Sequence, residues 1–107
     1  MPSLHDDGRT VTLDLHGSTV HEAEDLLYTT LREAARRGRG QVTVIHGTST
    51  SDARYRNRTI KHALYDLLDQ GVLPAVTGAL RQEGRTVLSL DVTATRDPTP
   101  LRLRDVL

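Results

Sequence analysis

Three residues in the 107-residue chain have the types and spacing for proton-transfer chemistry: Asp14, His16 and His46. Imidazole titrates near pH 6.5, so one histidine can take a proton from an attacking hydroxyl while another donates to the leaving oxygen. A neighbouring carboxylate fixes the tautomer and raises basicity. Phosphodiester cleavage needs that pair of roles. Asp14 and His16 are two apart, so on a strand they share a face and leave the other to Leu13 and Leu15. Two other readings of the same residues stay open. Asp14 can cap or hydrogen-bond a nearby loop, with the histidines as satisfied structural groups. An Asp/His/His metal site is also chemically admissible, but the chain carries no metal motif of fixed spacing, and neither metal nor cofactor is expected.

The elements that must position these residues are legible as periodicities. Thr10–Leu15 alternates Val11, Leu13 and Leu15 against Thr12 and Asp14, the pattern of a strand, and Gly17 ends it. Thr19 stands three residues before Glu22 in a capping-box arrangement, and Val20, Ala23, Leu27, Leu31 and Ala34 keep one face of a helix that stops near Gly38. Gln41–His46 holds Val42, Val44 and Ile45 and reads as a second strand, stopped by Gly47. Ile60, Ala63, Leu64, Leu67 and Leu68 have the spacing of a second helix with one buried stripe, opening near Asn57 and closed by Gly71 and Pro74. Ala75–Arg81 and Thr86–Val92 flank a Gln82-Glu83-Gly84-Arg85 turn and form a hairpin, with Gly78 weakening its first arm. The order is βαβαββ, a two-layer α/β sandwich with a mixed sheet. Two parallel strands joined by one helix bring their C-terminal ends side by side, the edge at which open α/β sheets bind ligands. Asp14, His16 and His46 all fall at that edge.

A chain of this length fits one domain: residues 1–9 as a flexible start, 10–92 as the folded unit and 93–107 as a tail. No apolar run approaches the roughly 18 residues of a membrane span, and the polar, acidic start from Met1 to Gly8 is not a secretory signal. The expectation is a soluble, cytoplasmic protein without a membrane partner. With no cysteine, disulfides, thiolate metal sites and catalytic thiols are excluded.

The formal net charge is zero but unevenly spread. Residues 32–61 carry eight basic residues against two acidic ones, and the rest of the chain six against twelve. Within that basic middle, Arg54, Arg56, Arg58 and Lys61 form a run free of acidic residues, with Tyr55 able to stack on a base, which makes it the best candidate groove for a polyanion. A solvated face is the plain alternative. Arg36, Arg37 and Arg39 are accounted for by the negative end of the first helix, and His5, His21 and His62 read as incidental. Tyr28 and Tyr65 read as edges of the core.

The string Leu13-Asp14-Leu15-His16-Gly17, a helix carrying Ala23, and Val44-Ile45-His46-Gly47 about thirty residues on resemble the Smr (small MutS-related) family. The resemblance covers roughly Val11 to Val92. It implies a fold similar to the C-terminal domain of bacterial translation initiation factor three, with RNA or DNA as partner. It also implies endonuclease chemistry through Asp14, His16 and His46, with Gly17, Gly47, Ser49, Ser51, Arg54, Arg56, Arg58 and Lys61 against the substrate. Ser49 and Ser51 stand where the family commonly has glycines, and serine lacks the free positive φ that lets a backbone approach a phosphate. Two rival readings remain: a binding module without catalysis, and an interaction domain in which the tail from Leu101 to Leu107 mediates self-association.

Overall fold

Alternation along Thr10–Asp14 sends Val11 and Leu13 to one side of a sheet, and both are fully buried. The computed structural model describes residues 2–47, 51–52 and 57–107, with 51, 52, 57 and 58 by backbone only. The elements run β1 (Ser3–Asp6), β2 (Thr10–Asp14), α1 (Val20–Arg36), β3 (Gln41–Gly47), β4 (Ser51–Asp52), β5 (Asn57–Arg58), α2 (Ile60–Gln70), β6 (Val76–Gln82), β7 (Gly84–Leu90) and a short 3₁₀ turn (Leu103–Asp105). The main sheet is five-stranded and mixed, in the order β1-β2-β3-β7-β6, and β4 and β5 pair with each other. β2 and β3 are parallel, with Val11 opposite Val42, Leu13 opposite Val44 and Asp14 opposite Ile45. Opposed residues on neighbouring strands share a face, so Val11, Leu13, Val42, Val44 and Leu88 form one apolar surface. Leu27, Leu31 and Ala34 of α1 and Leu64 of α2 close over it. The other face carries Thr12, Asp14, Thr43 and Val87.

Both helices start as local chemistry dictates. Thr19 caps α1 in a full capping box: its hydroxyl accepts from the Glu22 N–H and the Glu22 carboxylate accepts from the Thr19 N–H. α2 is capped by Thr59, two residues later than the Asn57 expected from sequence, because Asn57 is taken up in the β5 pairing with Asp52. Ala63 and Leu64 of its stripe are buried, while Ile60, Leu67 and Leu68 pack against the core only in part. In the hairpin, β6 and β7 slip register between Val76 and Gly78, the irregularity a glycine inside a strand invites.

The largest departure from the sequence reading is at the two ends. Residues 1–9, expected to be flexible, contain β1, which pairs antiparallel with β2 and packs Leu4 against the core. The 93–107 tail is irregular until the 3₁₀ turn, yet it buries Leu101 and Val106 in the same core. One ion pair explains both. Arg39, expected to serve only the dipole of α1, has no exposed surface, and its Nε donates to the two carboxylate oxygens of Asp6 at 2.8 and 3.0 Å. Its Nη1 donates to the carbonyls of Arg37 (2.7 Å) and Asp97 (2.6 Å), and its Nη2 to that of Thr99 (3.1 Å). Asp6 in turn accepts from the backbone N–H groups of Gly8 and Leu101. Burial alone opposes ionisation of Asp6, but the bonds from Arg39, Leu101 and Gly8 outweigh it and hold the carboxyl below its usual value.

Asp6→Ala leaves a buried guanidinium without its counter-charge, and urea unfolding should show a loss of about 3–5 kcal/mol. Because the folded carboxyl titrates below the unfolded one, Asp6 contributes fully above about pH 4 and the contribution disappears as pH falls through the lower folded value. A loss below about 1 kcal/mol would contradict the role of this pair.

Candidate functional site

Asp14 is the last residue of β2 and lies between the buried Leu13 and Leu15, so its side chain leaves the sheet on the face away from the helices. Its Oδ1 accepts the backbone N–H of His16 at 2.9 Å, a local turn that fixes where the next residues go. His16 is exposed, and its ring has no partner among the described residues. The Ser18 N–H donates to the Leu15 carbonyl at 3.1 Å and completes the turn into the Thr19 cap. Gly17 and Gly47, which end the two strands, both take left-handed backbone angles, φ +82° and +86°. Gly47 is exposed, and a Cβ added to it would meet nothing within 4 Å. The parallel edge therefore ends in two bare stretches of backbone.

His46 follows the alternation of Val42 and Val44 onto the helix side. Its Nδ1 lies 2.7 Å from the Gly47 carbonyl and its Nε2 lies 2.9 Å from Thr86 Oγ1. A carbonyl only accepts, so Nδ1 carries the proton and Nε2 accepts from the Thr86 hydroxyl. The Tyr65 ring stands edge-on at 6.1 Å. Burial, with a smaller contribution from the Lys61 charge, lowers the His46 pKa against the opposing pull of the Gly47 carbonyl. His46 is thus neutral at pH 7, and both ring nitrogens are already bonded.

The structure places Asp14 and His16 at one strand end and His46 at the end of the adjacent parallel strand, as expected. It does not join them into one cluster: Asp14 and His46 leave the sheet on opposite faces, and Asp14 bonds the His16 backbone, not an imidazole. Among the described residues no group of three or more His, Cys, Asp or Glu side chains could hold a metal ion. Lys61 sits in the first turn of α2 with its Nζ 5.7 Å from the Tyr65 ring centre. Ser49, Arg54, Tyr55 and Arg56 lie outside the described residues, and Ser51 and Arg58 oppose each other in the β4–β5 pair.

Sequence reasoning missed Thr86 and Arg81. Arg81 stacks 4.5 Å from the Tyr65 ring centre and bonds Asp69 at 2.7 Å. Both sit in the hairpin, and only the β3–β7–β6 register, Val44 to Thr86 to Arg81, brings them beside His46 and Tyr65. Of the residues set aside, Arg36 pairs with Glu33, His21 with Asp25 and His62 with Asp66, all within their helices, and His5 lies in β1. Among the described residues, no helix is long and apolar enough to cross a membrane.

An α/β unit with a parallel β2–α1–β3 core, a closing hairpin and histidine-glycine ends on both parallel strands is the arrangement found in a known class of domains. The Smr domain family model matches residues 13–95. Among solved structures, the crystal structure of the Smr domain of Thermus thermophilus MutS2 is similar at 24% identity with a TM-score of 0.56. The match covers 78% of this chain and 98% of that one. No curated protein matches the chain. The chain belongs to the Smr domain family, a nucleic-acid-binding, nuclease-associated class.

The His46 environment is directly testable. Its ring signals in an NMR titration should show a midpoint below about 6.5. Because the unfolded chain then binds the extra proton first, stability should decline as pH falls from about 6.5 toward that lower midpoint. A midpoint above 6.5 would contradict the neutral, doubly bonded ring.

Proposed function

We propose that this Smr domain binds the backbone of RNA or DNA at the C-terminal edge of β2 and β3 and cuts it internally, with His16 as the proton-transfer group. The observation that carries this reading is the exposed His16 ring, on a turn fixed by Asp14 and beside the bare backbone of Gly17 and Gly47. On RNA, His16 takes the proton of the attacking 2′-hydroxyl, the new P–O bond closes a 2′,3′-cyclic phosphate as the P–O5′ bond breaks, and the leaving 5′-oxygen takes its proton from solvent water. Asp14 is a positioning residue, because it bonds the His16 backbone. His46 positions the end of β3, since a catalytic role would first require the Thr86 bond to break. The exposed backbone ends and the Arg54, Arg56, Arg58 and Lys61 run supply phosphate contacts. On DNA the nucleophile is water, and an added metal ion becomes the natural activator.

A specific observation favours a second reading, a binding module without cleavage: Asp14 Oδ1 is engaged by the His16 backbone, and both His46 nitrogens are already bonded within the chain. Self-association through the tail has less to work with, because Leu101 and Val106 are spent inside the chain's own core and Leu107 alone of the tail's large apolar residues is well exposed.

Incubation with end-labelled RNA and DNA, with and without chelator, separates the two. Internal cleavage of RNA to cyclic-phosphate ends is expected, with EDTA leaving it intact. His16→Ala should lower turnover about 10²–10⁴ fold while affinity changes little, since a proton-transfer group acts in the transition state. Asp14→Ala should lower it in the same direction by loosening the turn. Full activity in the double Asp14, His16 variant would refute the assignment, and binding without any cleavage would establish the second reading.

A further inference from the structure

The opposite, N-terminal edge of β2 and β3 holds a cleft of about 430 Å³ lined by Gly8, Arg9, Thr10, Gly40, Gln41 and Arg96. It is at the far end of the sheet from His16. Arg96 is seated there by two close approaches that only glycine permits. Gly38 has φ +74°, and a Cβ on it would fall 2.8 Å from the Arg96 Cα; Gly8 has φ +97°, and a Cβ on it would fall 3.0 Å from the Arg96 guanidinium. The next residue is also pinned, with the Asp97 N–H donating to the Arg37 carbonyl at 2.9 Å. Yet the Arg96 side chain forms no hydrogen bond or ion pair with any described residue, and neither does that of Arg9. The neighbouring acids have other hydrogen-bond partners. Asp7 accepts from the backbone of Arg9 and Thr10, Asp97 from that of Thr99, and Asp6 is paired with Arg39. Two cations with up to ten unused N–H donors thus face an open cleft.

We propose that this cleft is a second phosphate site, in which Arg9 and Arg96 hold a phosphodiester of the same strand that lies on the C-terminal edge. The proposal rests on the reading of that edge given above and adds a length requirement to it. From Thr10 to His16 is six residues, at most about 20 Å at roughly 3.3 Å each, which is about six nucleotides of a base-stacked strand at 3.4 Å axial rise and fewer of an extended one. A strand shorter than that occupies one site, and a longer one spans both.

The test is anisotropy with labelled, cleavage-resistant 2′-O-methyl RNA or DNA strands of about two and about twelve nucleotides, across a range of salt. The wild-type chain should bind the long strand more tightly, with a salt slope steeper by about 0.7 for each phosphate gained. Arg9→Gln with Arg96→Gln should remove that advantage while the short strand still binds at the C-terminal edge. Arg9→Gln alone, an exposed change that should move stability by less than about 0.5 kcal/mol, should remove part of it and guards against a folding effect. A length advantage that survives in the double variant, or is absent from the wild type while the short strand still binds, overturns the cleft and leaves the edge reading standing. No binding of either strand overturns both.

Discussion

The buried Asp6–Arg39 pair is the constraint on which the rest of the fold depends. Taking two charges out of water costs several kcal/mol per ion, and the cost is offset only where the remaining donors and acceptors are satisfied. Here Nε, Nη1 and Nη2 of Arg39 all donate, to the Asp6 carboxylate and to the carbonyls of Arg37, Asp97 and Thr99. The carboxylate also accepts from Gly8 and Leu101. The pair thereby fastens three separate stretches of chain at one point: the end of β1, the turn after α1, and the tail. With the tail held, Leu101 and Val106 reach the core.

That fastening divides the sheet into two ends with different work. The N-terminal end of β2 and β3 is tied by backbone and ion-pair contacts. The C-terminal end closes with short local bonds, Asp14 to the His16 N–H and His46 to Thr86 and Gly47, which set loop direction while leaving Gly17, Gly47 and His16 open. Ligand sites in open α/β sheets lie at this end. Arg9 and Arg96 are the exception at the tied end, since neither side chain has a partner among the described residues.

Much of this was legible in the sequence. Period-two alternation, the Thr19–Glu22 box and the Ile60–Leu68 stripe give β2, β3, α1 and α2 with small errors at their ends. The opposite directions of Asp14 and His46 were legible too, because Asp14 alternates with the buried Leu13 while His46 continues the buried series Val42 and Val44. In parallel strands that share register, those parities cannot meet on one face. The expected three-residue cluster failed for neglect of that rule. The Asp6–Arg39 pair was not legible, since its partners are 33 residues apart and its other contacts reach to Leu101, with no periodic signal to link them. Thr86 and Arg81 likewise depend on strand register across three strands. The start and tail read as loose because their polar residues outnumber their apolar ones, and the few that matter, Leu4, Leu101 and Val106, gain partners only once the fold has closed.

The central claim is that a nucleic-acid strand lies against the turn after β2, with His16 facing it and His46 turned inward. The most direct measurement is the histidine ring NMR spectrum of the intact protein, recorded with and without a cleavage-resistant oligonucleotide long enough to span the sheet. Both rings report in one experiment. The His16 signals should move on addition of the strand, while those of His46, held by Thr86 and Gly47 beneath Tyr65, should stay nearly in place. His46 moving while His16 stays unchanged, or neither moving with the strand demonstrably bound, would contradict it.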